Sequence, residues 1–211
     1  MQKKIIFFRD LGMEHWLTTL NKMNNFTVAR NFYTFDEIWF VEHYPIFTQG
    51  KLEENENIIF LHGIPIVKTD RGGQITYHGP GQQVLYFLIN LKRRKISIRQ
   101  FIDIMQNIVI ETLNDFSLKA YSKIKTPGVY INGKKICSLG LRIKKGSTLH
   151  GFAINVDMNL KPFDYIYPCG DKKIKMTQIK DFNLNVSLQD LQVVLIKKVS
   201  KFLKVIMIKK D

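Results

Sequence analysis

The sequence predicts an α+β fold, a two-layer α/β arrangement in which helices flank a mixed sheet. Strand-like segments are joined by a hairpin turn, and helices and strands do not follow the strict alternation of a parallel βαβ protein. The chain has 211 residues, of which 45% are hydrophobic, and no repeat or Gly/Ser linker divides it. We therefore expect residues 1–211 to form a single domain.

Four strands are predicted in the N-terminal half, at residues 3–9, 36–42, 65–69 and 83–91. The last of these is apolar along its length, which is typical of a central strand. Between the first two strands, residues 14–30 are predicted to form a helix. Its apolar positions are Leu17, Leu20, Met23 and Val28.

Two further helices are marked by capping patterns. Ser97 and Gln100 form a capping box that begins a helix ending near Phe116. Ser187 and Asp190 begin the last helix in the same way. The apolar stripe of this helix favours core packing over membrane attachment, and it consists of Leu188, Leu191, Leu195, Val199 and Phe202.

A hairpin is predicted between these helices. Asn132 and Gly133 separate strand-like residues 129–131 and 135–143, and this dipeptide favours a two-residue turn because both positions need positive φ. Another strand is predicted at residues 149–156.

The charge balance is strongly basic, with 32 Lys and Arg against 18 Asp and Glu, a net charge of +14. Such a charge favours acidic partners. The lysines are scattered and no nucleic-acid recognition motif is present, so a solvated surface is the favoured interpretation of this charge. Binding of an acidic protein substrate ranks second, and nucleic-acid binding ranks third.

The sequence also bears on location and metals. Arg9 and Asp10 interrupt the N-terminal apolar run before it reaches the length of a signal peptide or a membrane span. The two cysteines form no CxxC pair, which predicts neither a disulfide framework nor a zinc ribbon. No spacing among the five histidines indicates a metal site. We expect a cytoplasmic protein with no bound metal.

The segment DRGGQITYHGPGQQ at residues 70–83 has four glycines between two predicted strands. Paired glycines allow a backbone to approach a ligand closely, so this segment is predicted to form one wall of a substrate site; a long structured turn is the alternative. It is not a dinucleotide fingerprint, because the final glycine leads into a strand. GVYINGKK at residues 128–135 matches the start of a phosphate-binding loop, but Lys135 replaces the Ser or Thr that binds magnesium.

The two cysteines have different settings. Cys137 lies in a predicted strand, where period two places it on one face with Lys135, Leu139, Leu141 and Ile143, and it is predicted to be a buried, inert thiol. Cys169 lies in the sequence Tyr-Pro-Cys-Gly, where proline and glycine predict a turn that exposes the thiol to a cleft. Cys169 is therefore the candidate nucleophile, with a small turn residue as the alternative.

A nucleophilic cysteine needs a group that stabilises its thiolate, since a free thiol has a pKa of about 8.5. Lys135 is one candidate, because an ammonium beside a thiol lowers its pKa. His78 is the other, because Cys–His pairs are the commoner arrangement; His150 also lies near a glycine-rich motif. The residues alone leave these alternatives open.

Four ordered motifs resemble one known family. They are RGGQITYHGPGQQ at residues 71–83, GVYINGKKICSLGLRI at 128–143, LHGFAINVDMNL at 149–160 and PCG at 168–170. Together they resemble the octanoyltransferases of lipoate biosynthesis, also called lipoyl(octanoyl) transferases, over about residues 36–170. The resemblance implies the fold of the biotin and lipoate protein ligase catalytic domain, and a single acyltransferase domain that needs no cofactor.

The resemblance also implies an activity and its partners. An octanoyl group would pass from octanoyl-acyl carrier protein to the ε-amine of a lysine in lipoyl domains, as the first step of endogenous protein lipoylation. The acceptors would be the lipoyl domains of 2-oxoacid dehydrogenase E2 subunits and the glycine cleavage H protein. No nucleic acid or membrane is implied as a partner.

Site residues follow from the same resemblance. In such enzymes the PCG cysteine, here Cys169, carries the acyl group as a thioester, and the lysine before Ile-Cys-Ser-Leu-Gly, here Lys135, is its partner. The implied lining of the acyl pocket consists of Arg71, Gly72, Gly73, Gln74, Ile75, Thr76, Tyr77, His78, Ser138, Leu139, Gly140, Gly151, Phe152 and Ala153.

Two other functions compete with this one. An ATP-dependent lipoate or biotin ligase would share the fold but needs no cysteine, so Cys169 in the PCG motif argues against it. A nucleic-acid-binding module would be non-enzymatic, and it predicts a salt-sensitive affinity for DNA or RNA.

Overall fold

The computed structural model describes residues 4–51, 61–124, 126–167, 174–182 and 184–210. Within these residues eleven strands form two sheets. In chain order they are β1 (Ile5–Glu14), β2 (Asp36–His43), β3 (Ile46–Gln49), β4 (Ile66–Lys68), β5 (Ile75–His78), β6 (Gln82–Leu88), β7 (Tyr121–Ser122), β8 (Gly128–Ile131), β9 (Lys134–Lys144), β10 (Ser147–Asn155) and β11 (Ile206–Lys209).

The larger sheet has the strand order β11-β1-β2-β6-β10-β9-β8-β7, and the smaller sheet has the order β4-β3-β5. In the larger sheet β1 runs parallel to both β2 and β11, whereas every pairing from β2 to β7 is antiparallel. The predicted mixed sheet is therefore confirmed. The prediction that the apolar strand lies at the centre is also confirmed, because β6 pairs with β2 and β10 and is buried along its whole length.

Helices cover both faces of the larger sheet. The four α-helices described are α1 (Trp16–Ala29), α2 (Leu91–Arg94), α3 (Ile98–Asp115) and α4 (Leu188–Leu203). Residues of α3 and α4 pack together with one face of the sheet in the main core. Met23 of α1 packs against the opposite face, in a smaller cluster that includes Val84, Tyr86 and Ala153.

The two predicted capping boxes are present. The Ser97 hydroxyl accepts a hydrogen bond from the Gln100 N–H at 3.2 Å, and the Gln100 side chain accepts one from the Ser97 N–H at 2.9 Å. Ser187 and Asp190 form the same pair of bonds at the start of α4. Across the described ranges, no helix combines the length and the apolar character that crossing a membrane requires.

The buried face of α1 differs from the prediction. Leu17 and Val28 are 53% and 62% exposed, so the predicted stripe is wrong at these two positions. The buried residues are Trp16, Thr19, Met23 and Thr27. Two of these are threonines, and the Thr19 hydroxyl donates to the Glu14 carboxylate at 2.7 Å. Hydrophobicity alone therefore identified only part of the buried face: Met23 is buried as predicted, whereas the two threonines were missed.

The strand predicted at residues 83–91 ends earlier. Its last strand residue is Leu88, and Asn90 caps α2, since the Asn90 side chain accepts a hydrogen bond from the Arg93 N–H at 2.8 Å. Leu91 is therefore helical, not extended. The short strands β3, β5, β7 and β11 were not predicted.

Asp36, at the start of β2, binds three arginines. Its Oδ1 accepts from Arg30 at 2.7 Å and from Arg93 at 2.6 Å, and its Oδ2 accepts from Arg94 at 2.7 Å. The carboxylate is fully buried, and each arginine side chain is less than one-tenth exposed. This cluster fastens the end of α1 and the whole of α2 to one point of the large sheet.

Candidate active site

A cleft lies on the α1 face of the large sheet. β6, β9 and β10 line it from the sheet side, and Val84, Tyr86 and Ala153 are shared with the cluster around α1. The glycine-rich segment that leads into β5 lines it from the other side, and Trp16, the first residue of α1, also contributes.

The cleft brings together three of the predicted motifs. The predicted residues that line it are Arg71, Gly73, Gln74, Ile75, Thr76, His78, Lys135, Ser138, Leu139, Gly140, Gly151, Phe152 and Ala153. Gly72 and Tyr77 do not line it. The Gly72 N–H donates to the Leu141 carbonyl of β9 at 2.9 Å, and the Tyr77 ring packs against Phe47 and Phe163 on the small sheet.

Arg71 anchors the glycine-rich wall. Its Nη2 donates to the Thr48 carbonyl at 2.6 Å and to the Thr48 hydroxyl at 3.0 Å, and its Nη1 donates to the Gly72 carbonyl at 3.1 Å. A Cβ on Gly140 would lie 3.1 Å from Cδ of Arg71, which is tighter than nine in ten real Cβ contacts. The absence of a side chain at Gly140 therefore allows the wall to approach β9 closely.

His78 is held in one tautomer. Its Nδ1 lies 2.7 Å from Oε1 of Gln82, whose amide donates to the Asn155 side chain at 3.0 Å. Because the Gln82 oxygen can only accept, Nδ1 of His78 carries the hydrogen, and Nε2 is an acceptor 3.4 Å from the Thr48 hydroxyl. Burial, and then the neighbouring His43, lower the pKa of His78 to about 3. The ring is therefore neutral at pH 7.

Four side chains of the cleft were absent from the predicted lining: Trp16, Val84, Tyr86 and His150. Val84 and Tyr86 are two residues apart in β6 and so share a face; that spacing was the available signal. Trp16 stacks on His150, with ring centroids 6.4 Å apart and an interplanar angle of 9°. These two residues are 134 positions apart in the sequence, and no local pattern connects them.

His150 pairs with a carboxylate at the edge of the cleft. Its Nε2 lies 3.1 Å from Oδ1 of Asp70. The hydrogen bond from His150, followed by its charge and that of Arg142, lowers the pKa of Asp70. Burial nevertheless lowers the pKa of His150 itself, against the opposing effect of Asp70. Within the described ranges, no three His, Cys, Asp or Glu side chains converge as metal ligands would.

Lys135 faces the cleft because β9 contains a β-bulge. Tyr130 pairs with Lys135 and Val129 pairs with Cys137, so Ile136 is an extra residue in β9. Ile136 and Cys137 both point into the main core, whereas Lys135 and Ser138 line the cleft. The predicted common face of Lys135 and Cys137 is therefore wrong. The hairpin turn itself is as predicted, with φ of 48° at Asn132 and 81° at Gly133.

The thiol of Cys137 is buried in the core, as predicted. It has no exposed surface, and burial raises its pKa far above the ordinary range despite the nearby charge of Lys135. A thiol that is neither ionised nor accessible is chemically inert.

The predicted nucleophile, Cys169, lies outside the described residues. Residues 174–177 lie beside Lys135. The Lys135 N–H donates to the Lys175 carbonyl at 2.8 Å, and the Thr177 N–H donates to the Lys135 carbonyl at 2.9 Å. Met176 and Lys135 form a parallel bridge. Segment 174–177 thus extends the sheet next to the buried lysine.

Comparisons with known proteins agree with this architecture. A lipoate-protein ligase A bound with ATP superposes with a TM-score of 0.80 at 16% identity, covering 98% of this chain and 87% of that one. The biotin protein ligase from Aquifex aeolicus superposes with a TM-score of 0.57 at 14% identity, covering 94% and 69% of the two chains. At these identities the likeness concerns the fold alone, and it confirms the predicted fold class.

Sequence comparison identifies the family. The lipoyl protein ligase A/B catalytic domain matches residues 10–200. An octanoyltransferase from Buchnera aphidicola subsp. Acyrthosiphon pisum is 70% identical over 208 residues, covering 99% of both chains. The chain therefore belongs to the octanoyltransferase family, whose members are acyltransferases built on the lipoyl protein ligase A/B catalytic domain.

Proposed function

We propose that this chain transfers an octanoyl group from octanoyl-acyl carrier protein to the ε-amine of a lysine in a lipoyl domain, through an acyl thioester on Cys169. The thiolate of Cys169 attacks the carbonyl carbon of the carrier thioester, and the carrier leaves as a thiolate that takes a proton from Lys135. The lysine amine of the acceptor then attacks the new thioester and loses a proton. Cys169 leaves as thiolate, so that the amide forms and the enzyme is regenerated.

The observation that carries this proposal is the burial of Lys135 beside the chain that follows Cys169. Lys135 is 1% exposed, and a charge in such a low-dielectric setting acts more strongly on a nearby thiol than it would in water. Its backbone is bonded to Lys175, which is six residues from Cys169. An extended chain of that length spans at most about 20 Å. This limit on the separation supports the proposed pairing of Cys169 with Lys135.

The electrostatics favour Lys135 over His78 as the thiolate's partner. A pKa of about 3 leaves His78 neutral at pH 7, so it brings no positive charge to a thiolate. Its Nδ1 hydrogen is also committed to Gln82. The ammonium of Lys135 supplies a positive charge, and such a neighbour lowers the pKa of a thiol. In the second step a neutral Lys135 would accept the proton of the incoming amine.

The cleft suits a linear acyl chain. Ile75, Val84 and Ala153 supply apolar lining, and each buried methylene contributes about 0.8 kcal/mol. Ser138 also lines the cleft, and we propose that its hydroxyl, or a glycine N–H near His78, donates to the thioester oxyanion. Transfer between thioesters is nearly neutral in free energy and transfer to an amine is downhill, so the reaction needs no ATP.

The acceptors in this proposal are the lipoyl domains of 2-oxoacid dehydrogenase E2 subunits and the glycine cleavage H protein. A net charge of +14 would steer acidic carrier and lipoyl domains toward the enzyme. We further propose that residues 1–211 act as one acyltransferase domain in the cytoplasm.

Intact-mass measurement after mixing with octanoyl-acyl carrier protein tests the proposal. We expect one octanoyl adduct on the wild-type protein, no adduct on Cys169→Ala, and an adduct on the matched control Cys137→Ala. Adding a lipoyl domain should discharge the adduct. An adduct that persists in Cys169→Ala would refute the thioester. Labelling of the lipoyl domain by free octanoate and ATP, without carrier protein, would indicate a ligase instead.

A further inference from the structure

We propose that Gly128 is a positioning residue, whose missing side chain provides the space in which the end of the Lys135 side chain lies. This inference rests on the role proposed for Lys135. Gly128 lies on the neighbouring strand β8 and would affect the reaction by positioning Lys135.

The register of the hairpin places these residues on one face. Gly128 pairs with Ser138, and Tyr130 pairs with Lys135. Because side chains alternate along β8, position 128 faces the same side as Tyr130. The bulge at Ile136 brings Lys135 and Ser138 to that side as well. The lysine side chain therefore lies across the backbone of Gly128.

The contact is too close for any other residue at position 128. An ideal Cβ there would approach Cε of Lys135 well inside the 3.0 Å limit that real Cβ atoms respect, and it would lie 3.1 Å from Nζ. Gly128 also has a φ of 155°, which L side chains rarely adopt. Two contacts would have to relax: the flexible end of Lys135 can move aside, whereas the backbone oxygen of Cys137, at 2.9 Å, can move only with its strand.

Fixed groups surround this space. The Tyr130 ring lies on another side of the lysine, with Nζ of Lys135 5.6 Å from the ring centroid. The Tyr130 hydroxyl donates to the Thr126 carbonyl at 3.0 Å, which holds the ring. The amide of Gln106, from α3, donates to the Gly128 carbonyl at 3.4 Å. This bond holds β8 against α3. A methyl group at position 128 would therefore displace the ammonium and would also press on the β9 backbone at Cys137.

The test is a double-mutant cycle that measures the rate of Cys169 octanoylation by carrier protein. Gly128→Ala should lower this rate by about tenfold or more, part of the roughly 100-fold or larger loss expected for Lys135→Ala. If Gly128 acts through Lys135, the double variant should match Lys135→Ala alone within about twofold. Additive losses would overturn the inference.

Gly133→Ala is the matched control. Gly133 lies in the same hairpin at a φ of 81°, and a Cβ there meets nothing within 4 Å. It therefore reports backbone strain without the contact to Lys135. We expect near-normal octanoylation from it. Gly128→Ala should melt at a lower temperature than this control, because its methyl group also meets the Cys137 carbonyl oxygen. An equal loss of rate in both variants would overturn the inference, since strain alone would then explain it.

A second readout does not depend on turnover. The pH dependence of Cys169 alkylation by iodoacetamide, followed at the Cys169 peptide, reports the fraction of thiolate. Gly128→Ala should move the midpoint of this pH dependence toward the pKa of a free thiol, about 8.5. Lys135→Ala should move it in the same direction. A shift in Lys135→Ala but not in Gly128→Ala refutes this inference alone. Unchanged midpoints and rates in Lys135→Ala refute the proposed role of the lysine as well.

Discussion

The hydroxyl of Tyr86 donates a hydrogen bond of 2.8 Å to Nε2 of His43. The direction follows from the other ring nitrogen, because Nδ1 of His43 lies 3.0 Å from the Glu14 carbonyl oxygen, which can only accept. Tyr86 in turn shares a side-chain hydrogen bond with Trp16. A chain of polar groups thus runs from the lining of the cleft to β1.

We predict that acidification below pH 6.5 destabilises the fold through His43 and His78. Burial lowers their pKa values from 6.5 to about 4 and about 3. Since the unfolded chain takes up protons first, this stability is complete above pH 6.5 and is lost as the pH falls toward the folded values. His43 alone accounts for up to about 3 kcal/mol. The free energy of unfolding in urea, measured from pH 7.5 to 4.5, gives the slope of stability against pH.

The exposed His62 provides the control for this slope. We expect His62→Gln to keep the full pH dependence, whereas His43→Gln should flatten it while lowering stability at pH 7.5. A pH dependence that is identical in the two variants would show that His43 is not the group being protonated.

Tyr86→Phe should lower the free energy of unfolding by about 1–3 kcal/mol, because it leaves Nε2 of His43 buried without its donor. The pKa of His43 should stay low, since burial is its largest cause. Tyr33→Phe, at a residue that is 75% exposed, should change stability by less than about 0.5 kcal/mol. Equal midpoints in urea for the two variants would contradict the hydrogen bond.

Asp36→Asn should cost about 3–5 kcal/mol, because it removes the charge that pairs with three buried arginines. Asp157→Asn breaks an exposed pair with Lys180 and should cost at most about 1 kcal/mol. Guanidinium is unsuitable here because it screens charge, so urea or thermal unfolding is the measurement. A small effect at Asp36 would mean that the arginines find other partners.

Gly140→Ala should impair substrate binding more than folding. The added methyl would press on Cδ of Arg71 and shift the glycine-rich wall, so we expect KM for the carrier thioester to rise at least about threefold. Gly72→Ala is the comparison, because a Cβ there makes an ordinary contact of 3.5 Å with the Leu141 carbonyl. If both variants keep wild-type KM, the wall does not contact substrate.

The long elements could be predicted because each carries its own signal. The helix after Ser97 has a capping box and a regular apolar stripe, and β6 is apolar throughout. Strands of two to four residues, such as β7 and β11, are too short for a period to show. They are also paired at the sheet edges by contacts distant in sequence, for example Ile5 with Ile206.

The lining of the cleft could be predicted from motif resemblance, but its polar network could not. Trp16, Tyr86 and His150 meet only after β1, β2, β6 and β10 are in register. His150 has a φ of 64°, which no sequence pattern indicated. The face of Lys135 was predicted wrongly because a strict period of two cannot contain a bulge.

That bulge has a consequence for insertions and deletions in the hairpin. Lys135 and Ser138 are separated by an odd number of positions, and in a regular strand that parity would put them on opposite sides of the sheet. Because Ile136 is an extra residue in the bulge, both side chains lie on the same side. Removing this one isoleucine would leave the two residues an even number of positions apart in a regular ladder, with the same cross-strand partners and on the same side. Its loss would therefore keep Lys135 and Ser138 on the cleft side and would remove one core-facing side chain opposite Val129.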